Sequence, residues 1–142
     1  MRRALRVARA AGARGEVPVG AVAVRDGAVL AAAGNAMERR GDATAHAEML
    51  VLRRAAAIVG GWRLDGVTVY ATLEPCPMCA GAMVQARIAT CVYAAVDPKK
   101  GADGSVYAVL RNPRNNHRID VVDGVCADQA AALLQGFFRA RR

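Results

Sequence analysis

Residues 67–79 read Val-Thr-Val-Tyr-Ala-Thr-Leu-Glu-Pro-Cys-Pro-Met-Cys, and their character changes half-way. Val67–Leu73 is apolar and β-branched, the composition of a buried strand. Pro75 then opens a helix that runs to about Arg87, since proline is well tolerated in a first helical turn. Thr90–Val96 is the next apolar run and the next strand. Upstream, Val17–Val24 and Ala28–Ala33 are strands separated by Arg25-Asp26-Gly27, whose Asp-Gly pair signals a hairpin. Residues 2–12 set Leu5, Val7 and Ala8 among arginines, an amphipathic helix stopped by Gly12 and Gly15. Asp42 and Thr44 offer caps for a helix from about Ala45 to Ile58, closed by Gly60-Gly61.

Downstream, Asp97–Asn116 is polar and punctuated by Gly, Pro and Asn, with a short helical segment expected near Ser105–Leu110. Ile119–Val122 is a short strand. Asp128–Arg139 is a last helix with Leu133, Leu134, Phe137 and Phe138 on its buried stripe. A hairpin followed by alternating helices and strands predicts a mixed sheet sandwiched between helices, one domain over residues 1–142.

Hydrophobic residues make up 54% of the 142 and charged ones 23%, enough to bury a full core. Most of the apolar share is alanine and valine and only 4% is aromatic, so small side chains must fill that core. No apolar run approaches the about 20 residues that span a bilayer. The basic start, Met-Arg-Arg-Ala-Leu-Arg, leads into no apolar signal region, which points to the cytoplasm. The formal charge is +8, and arginine supplies 18 of the 20 cations. Such a balance attracts polyanions; a source-wide preference for arginine codons would produce it as well. Four cysteines without a secretion signal suggest metal or catalysis before disulfides.

Two segments carry chemistry: Thr44-Ala45-His46-Ala47-Glu48 and Glu74-Pro75-Cys76-Pro77-Met78-Cys79. Cys76 and Cys79, three apart at a helix start, can turn both sulfurs to one point, where the positive helix end favours the thiolates. Thiolates select Zn²⁺ over hard cations. His46 makes a third ligand and leaves a fourth position for water, as catalytic zinc sites require. Glu48, two residues on, can take a proton from that water and later return it. Glu74 is the rival carboxylate, or else a partner for the amides of the helix that follows it. A Cys-x-x-Cys redox pair is the alternative reading of the cysteines, but thioredoxin-like chains lack the His-x-Glu. Cys91 and Cys126 read as packing residues. An RNA-binding domain with a structural zinc would need one fourth ligand, for which Cys91, Cys126 or His117 is the candidate.

His46-Ala47-Glu48 with Pro75-Cys76-Pro77-Met78-Cys79 resembles the H-x-E and P-C-x-x-C signature of zinc nucleoside deaminases. Further segments resemble the bacterial tRNA-specific adenosine deaminases, of the cytidine/deoxycytidylate deaminase superfamily, in the family's order. They are Glu16–Gly20, Asp42 with Thr44–Glu48, Thr72–Cys76, Met78–Met83, Gly101–Ser105, Asn116–Arg118 and Phe137–Arg139. The resemblance implies a cytidine-deaminase-like three-layer α/β/α sandwich with a mixed sheet of about five strands, in a homodimer with one Zn²⁺ per subunit. It implies conversion of the wobble adenosine of an arginine tRNA to inosine, with the base flipped out of an already unpaired anticodon loop. His46, Cys76 and Cys79 would hold the zinc, and Glu48 would protonate the ring nitrogen. Asn35 would hydrogen-bond the purine, where the residues alone also allow a turn position after Gly34. Val17, Pro18 and Leu73 would shape the pocket, and the Ala47 amide would hold the attacked centre. Asp97, Lys99, Asn116, His117 and Arg139 are the candidates for tRNA contacts. A deaminase of free guanine, cytosine or cytidine shares the signature; the basic charge, Gly101–Ser105 and Phe137–Arg139 favour tRNA.

Overall fold

The computed structural model of the chain describes residues 1–141. The hairpin forms where Asp26-Gly27 places it: β1 (Gly20–Arg25) and β2 (Ala28–Gly34) pair antiparallel with Arg25 opposite Ala28. Both turn residues take positive φ, 51° and 74°, which matches the twist of the two strands. The edge of β1 away from β2 pairs antiparallel with β3 (Thr68–Leu73). β4 (Thr90–Ala95) and β5 (Asp120–Val122) then add in parallel, giving a five-stranded mixed sheet of order β2-β1-β3-β4-β5.

Five helices accompany it: α1 (Arg2–Ala13), the single turn α2 (Met37–Arg40), α3 (Ala47–Val59), α4 (Pro77–Ala86) and α5 (Ala127–Arg139). The two-residue period of β1 divides them between the faces. Ala21 and Ala23 point into a core shared with Leu50, Val51 and Ala55 of α3 and Met83 of α4. Gly20 faces the other way, against α1, which lies beside α5. The result is the expected three-layer α/β/α sandwich.

Alanine sets its dimensions. A Cβ on Gly20 would stand 2.2 Å from the Ala4 carbonyl oxygen and 2.7 Å from the Ala8 nitrogen. One on Gly34 would stand 2.7 Å from the Val7 carbonyl oxygen. Helix α1 therefore rests on the sheet backbone to backbone, with Ala4, Ala8 and Ala11 fully buried beneath it.

Four elements differ from the sequence reading. The strand expected over Val17–Val24 starts only at Gly20, because Pro18 has no N–H for a ladder; Val19 donates locally to the Val17 carbonyl at 2.7 Å. The second helix starts at Ala47 instead of Ala45, because Asp42 does not cap it: its Oδ1 accepts the Thr44 amide and hydroxyl at 2.8 and 2.7 Å, closing a turn of its own. The third starts at Pro77, two residues after Pro75. Residues 105–110 are not helical: the Val106 and Tyr107 amides both return to the Gly101 carbonyl at 3.0 Å, folding the segment into a loop. The expected stripe of α5 is also only partly covered. Ala130 is buried, Leu133, Leu134 and Phe137 are half-buried, and Phe138 is 50% exposed.

Candidate active site

Two helix beginnings meet at the ends of β2 and β3. His46 is the residue before the first turn of α3, and Cys76 holds the same place in α4; both are extended, with φ/ψ of −67°/149° and −72°/169°. An extended residue at a helix start turns its side chain away from the helix body. Cys79 follows one turn into α4, on the same side as Cys76. His46 Nδ1 lies 3.5 Å from Cys79 Sγ and 3.7 Å from Cys76 Sγ, and the three donor atoms lie within 4.8 Å of one another. Bond lengths of about 2.3 Å to sulfur and 2.0–2.1 Å to nitrogen place two corners of a zinc tetrahedron about 3.6 Å apart. The triangle fits zinc.

Its protons fit as well. The Cys79 thiol, together with the His46 ring, holds the Cys76 thiol down at about 3. The Cys76 thiolate and burial in turn raise the Cys79 thiol well above its ordinary value. The His46 ring is raised, mainly by its bond to Cys76. Two sulfurs and an imidazole that share protons this closely are a set which a dication relieves by displacing them.

Glu48 stands beside this triangle, 3% exposed, and its Oε2 has no hydrogen-bond partner among the described residues. Burial pushes its carboxyl up to about 7 against the opposing pull of its own amide and the His46 ring. A buried carboxylate atom without a partner, facing three metal-type ligands, is a group kept for chemistry. Among the described residues no fourth histidine, cysteine or carboxylate joins the triangle. Cys91 is buried in β4, and the His117 ring Nε2 lies 2.7 Å from the Ile88 carbonyl.

Asn35 is more than a turn residue. It is buried, and its Oδ1 accepts the Ala47 amide at 2.9 Å, fixing the side chain to the first turn of α3. The Ala47 amide, expected to hold the attacked centre, is committed to Asn35. Pro18 is buried, and Val17 and Leu73 are half-buried, Leu73 at the end of β3 that leads into Cys76. Asp97 accepts the Lys99 and Lys100 amides at 2.9 and 3.3 Å just beyond β4. Lys100, absent from the sequence candidates, is the lysine whose charge is felt at His46. Asn116 is exposed beside the anchored His117, and Arg139 is exposed on the last turn of α5.

Glu74 belongs to another arrangement. It does not serve the amides of α4. Its Oε2 accepts the Asp97 amide at 3.0 Å and the Ser105 hydroxyl; its Oε1 accepts the Asp103 and Ser105 amides at 2.8 and 3.4 Å. Burial raises its pKa, but these donors outweigh burial and hold the carboxyl below its ordinary value. Gly101 lies so close that a Cβ there would meet the carboxylate at 2.3 Å. Glu16, quoted above only within a motif, is 2% exposed and accepts the Arg39 and Glu38 amides at 2.9 and 3.2 Å, tying the Val17-Pro18 segment to α2. Its signal in the sequence was a lone acid between Gly15 and an apolar run.

A mixed sheet between helices, with one imidazole, two sulfurs and an unpartnered carboxylate at two helix beginnings, defines a zinc-dependent hydrolytic deaminase. The chain matches the MafB19-like deaminase family over residues 1–142. It is 46% identical over its full length to the tRNA-specific adenosine deaminases of Bacillus subtilis and Agrobacterium fabrum, covering 88% and 93% of those proteins. A solved tRNA:A34 deaminase, from work on A-to-I editing at the wobble position of transfer RNA, superposes with a TM-score of 0.91 at 46% identity, over 94% of this chain and 97% of that one. The guanine deaminase of Nitrosomonas europaea superposes with a TM-score of 0.81 at 26% identity, over 94% of this chain and 80% of that one. The chain belongs to the family of bacterial tRNA-specific adenosine deaminases.

Proposed function

We propose that this chain converts adenosine to inosine at the wobble position of a tRNA in the cytoplasm, an arginine tRNA being the expected substrate, as a single deaminase domain. The observation that carries the reading is the His46/Cys76/Cys79 triangle with the free Oε2 of Glu48 beside it. Zinc held by those three residues supplies the Lewis acid that lowers the pKa of a water at the site. Glu48 Oε2 takes one proton from that water and passes it to the ring nitrogen next to C6, where inosine keeps it. The oxygen bonds to C6, and the second proton goes by way of Glu48 to the amine as the C6–N bond breaks. The net change adds one water and releases one ammonia. A carboxyl near neutrality suits both directions of transfer. Asn35, anchored through Oδ1, keeps Nδ2 to donate to the purine. The Ala47 amide serves by holding Asn35, and Val17, Pro18 and Leu73 wall the pocket. Asp97, Lys99 and Arg139 are the candidates to meet the RNA around the flipped base.

A second copy of the chain supports the remaining contacts. His117 is tied to Ile88 before β4 begins, whereas Asp97 follows its end, so the two groups stand at opposite ends of that strand, about 20 Å apart. On this reading Asn116 and His117 meet the RNA bound at a partner's zinc site. The outer face of α3 and α4 is apolar around Met49, Leu52, Ala56 and Ala82, bordered by Arg53 and Gln85, with Trp62 63% exposed beside it, a face suited to a homodimer.

The test offers purified protein an anticodon stem-loop and, separately, free adenosine, guanine and cytidine. Inosine at the wobble position of the stem-loop is the expected product. Ammonia from a free base, with the stem-loop unchanged, would overturn the assignment in favour of a guanine-deaminase-like activity.

A further inference from the structure

Helix α1 carries a row of arginines that the deamination chemistry does not use. Arg2, Arg6 and Arg9 recur at i, i+4 and i+7, one stripe along the helix, with Arg3 on its shoulder and Arg14 at its end; all five are exposed. Among the described residues none of them forms an ion pair or a side-chain hydrogen bond; the three ion pairs present involve Arg63 and Arg111. An arginine-rich codon usage explains arginine in place of lysine, but it does not explain the absence of acids. The chain has 12 acidic residues, and the first of them is Glu16. Along residues 1–15 every charged side chain is an arginine. This also runs against helix stability: the first turn of α1 holds no acid, and its cations lie at the positive end of the helix. A face shaped only for folding would carry glutamate or aspartate there.

The row leads to the catalytic pocket. Gly12 packs against Pro18: a Cβ there would stand 3.1 Å from the Pro18 Cβ and 3.9 Å from the Phe137 ring of α5. Arg141 donates to the Gly15 carbonyl at 3.3 Å and stacks over Phe137. Arg2, Arg6, Arg9, Arg14 and Arg141 thus form a basic track that runs toward the Val17-Pro18 segment walling the site. The apolar face of α1 is spent on the sheet, with Leu5, Ala8 and Ala11 buried, so the helix cannot insert into a lipid surface.

We infer that this track binds the phosphate backbone of the tRNA body outside the anticodon loop. The inference rests on the proposed tRNA activity. Arginine forks pair with phosphate oxygens, and each neutralised phosphate releases counterions and steepens the salt dependence of binding.

The experiment compares full-length tRNA with its anticodon stem-loop, measuring Kd across a series of KCl concentrations and stem-loop deamination alongside. The proteins are the zinc-loaded wild type, an Arg2→Gln/Arg6→Gln/Arg9→Gln variant, and the corresponding Arg→Lys variant. Zinc content and the thermal transition serve as fold controls. Wild type should bind tRNA more tightly and with a steeper log–log salt slope than the stem-loop. The glutamine variant should lose about 2–3 of that slope and at least about tenfold in tRNA affinity at low salt. Its stem-loop Kd and kcat should stay within about twofold of wild type. The lysine variant should recover most of the slope. Equal losses on tRNA and stem-loop, or an unchanged tRNA slope, would overturn the inference; so would arginine-dependent binding to phosphatidylserine vesicles without a change on tRNA. Wild type that makes no inosine in either RNA would instead overturn the activity on which the inference rests.

Discussion

Glu48 and Glu74 are both buried carboxylates close in sequence to metal-type ligands, and their partners separate their roles. Glu48 has one oxygen with nothing to bond; Glu74 has four donors on two oxygens. Glu48→Gln should keep its zinc, read by metal analysis, and lose about 10²–10⁴ in kcat on the stem-loop. Cys76→Ser and Cys79→Ser should lose the metal, and Cys91→Ser should keep it. Glu74→Gln should cost about 1–3 kcal/mol, because its amide group turns a donor toward other donors. That loss depends on pH in a definite sense. The folded carboxyl titrates below its ordinary value, so its stabilisation is complete above about pH 4.3 and disappears as pH falls through the folded value. The melting temperatures of wild type and Glu74→Gln should differ most near neutrality and converge in acid. His46, Glu48, Cys76 and Cys79 were legible because their spacing is local. The task of Glu74 was not, because its partners lie 23 to 31 residues away.

At the scale of elements, periodicity and turn chemistry located all the strands and four of the five helices. The failures have particular causes. Asp42 carried a capping signal and used it on Thr44; Pro18 interrupted a run that composition alone reads as strand. Residues 105–110 had helical spacing, but Gly101, with its carbonyl taking two amides and its α-carbon against Glu74, bends that segment round the carboxylate. The one-turn α2 gave no periodic signal at all. The closest contact between elements, α1 on β1, provides a sharp test. Gly20→Ala would push a methyl into the Ala4 carbonyl and should destabilise the fold by about 1–3 kcal/mol, measured by urea unfolding. Gly27→Ala, in the hairpin turn with open space around it, meets only the strain of its positive φ and should cost less.

For the whole molecule, the sandwich was legible because strands and helices alternate, while the incomplete cover of α5 and the apolar α3/α4 face were not. A helical stripe tells which residues share a side, but not whether anything packs on it. Trp62, 63% exposed and the only tryptophan in the chain, reports directly on the proposed dimer. Its emission should move to shorter wavelength as protein concentration rises, and Trp62→Glu should sediment as a monomer at concentrations where wild type is dimeric. A second consequence follows from the way α1 touches the sheet. In most proteins trimming a core side chain does the damage; where α1 crosses Gly20 and Gly34, glycine and alanine already occupy the contact, and apart from Leu5 there is little left to trim. The hazard runs the other way, through growth by a single methyl, which no rotamer change can absorb because the obstacle is main chain. Packing therefore leaves only the solvent side of α1 open to substitution, and the charge carried there answers to what binds it and not to the seat beneath.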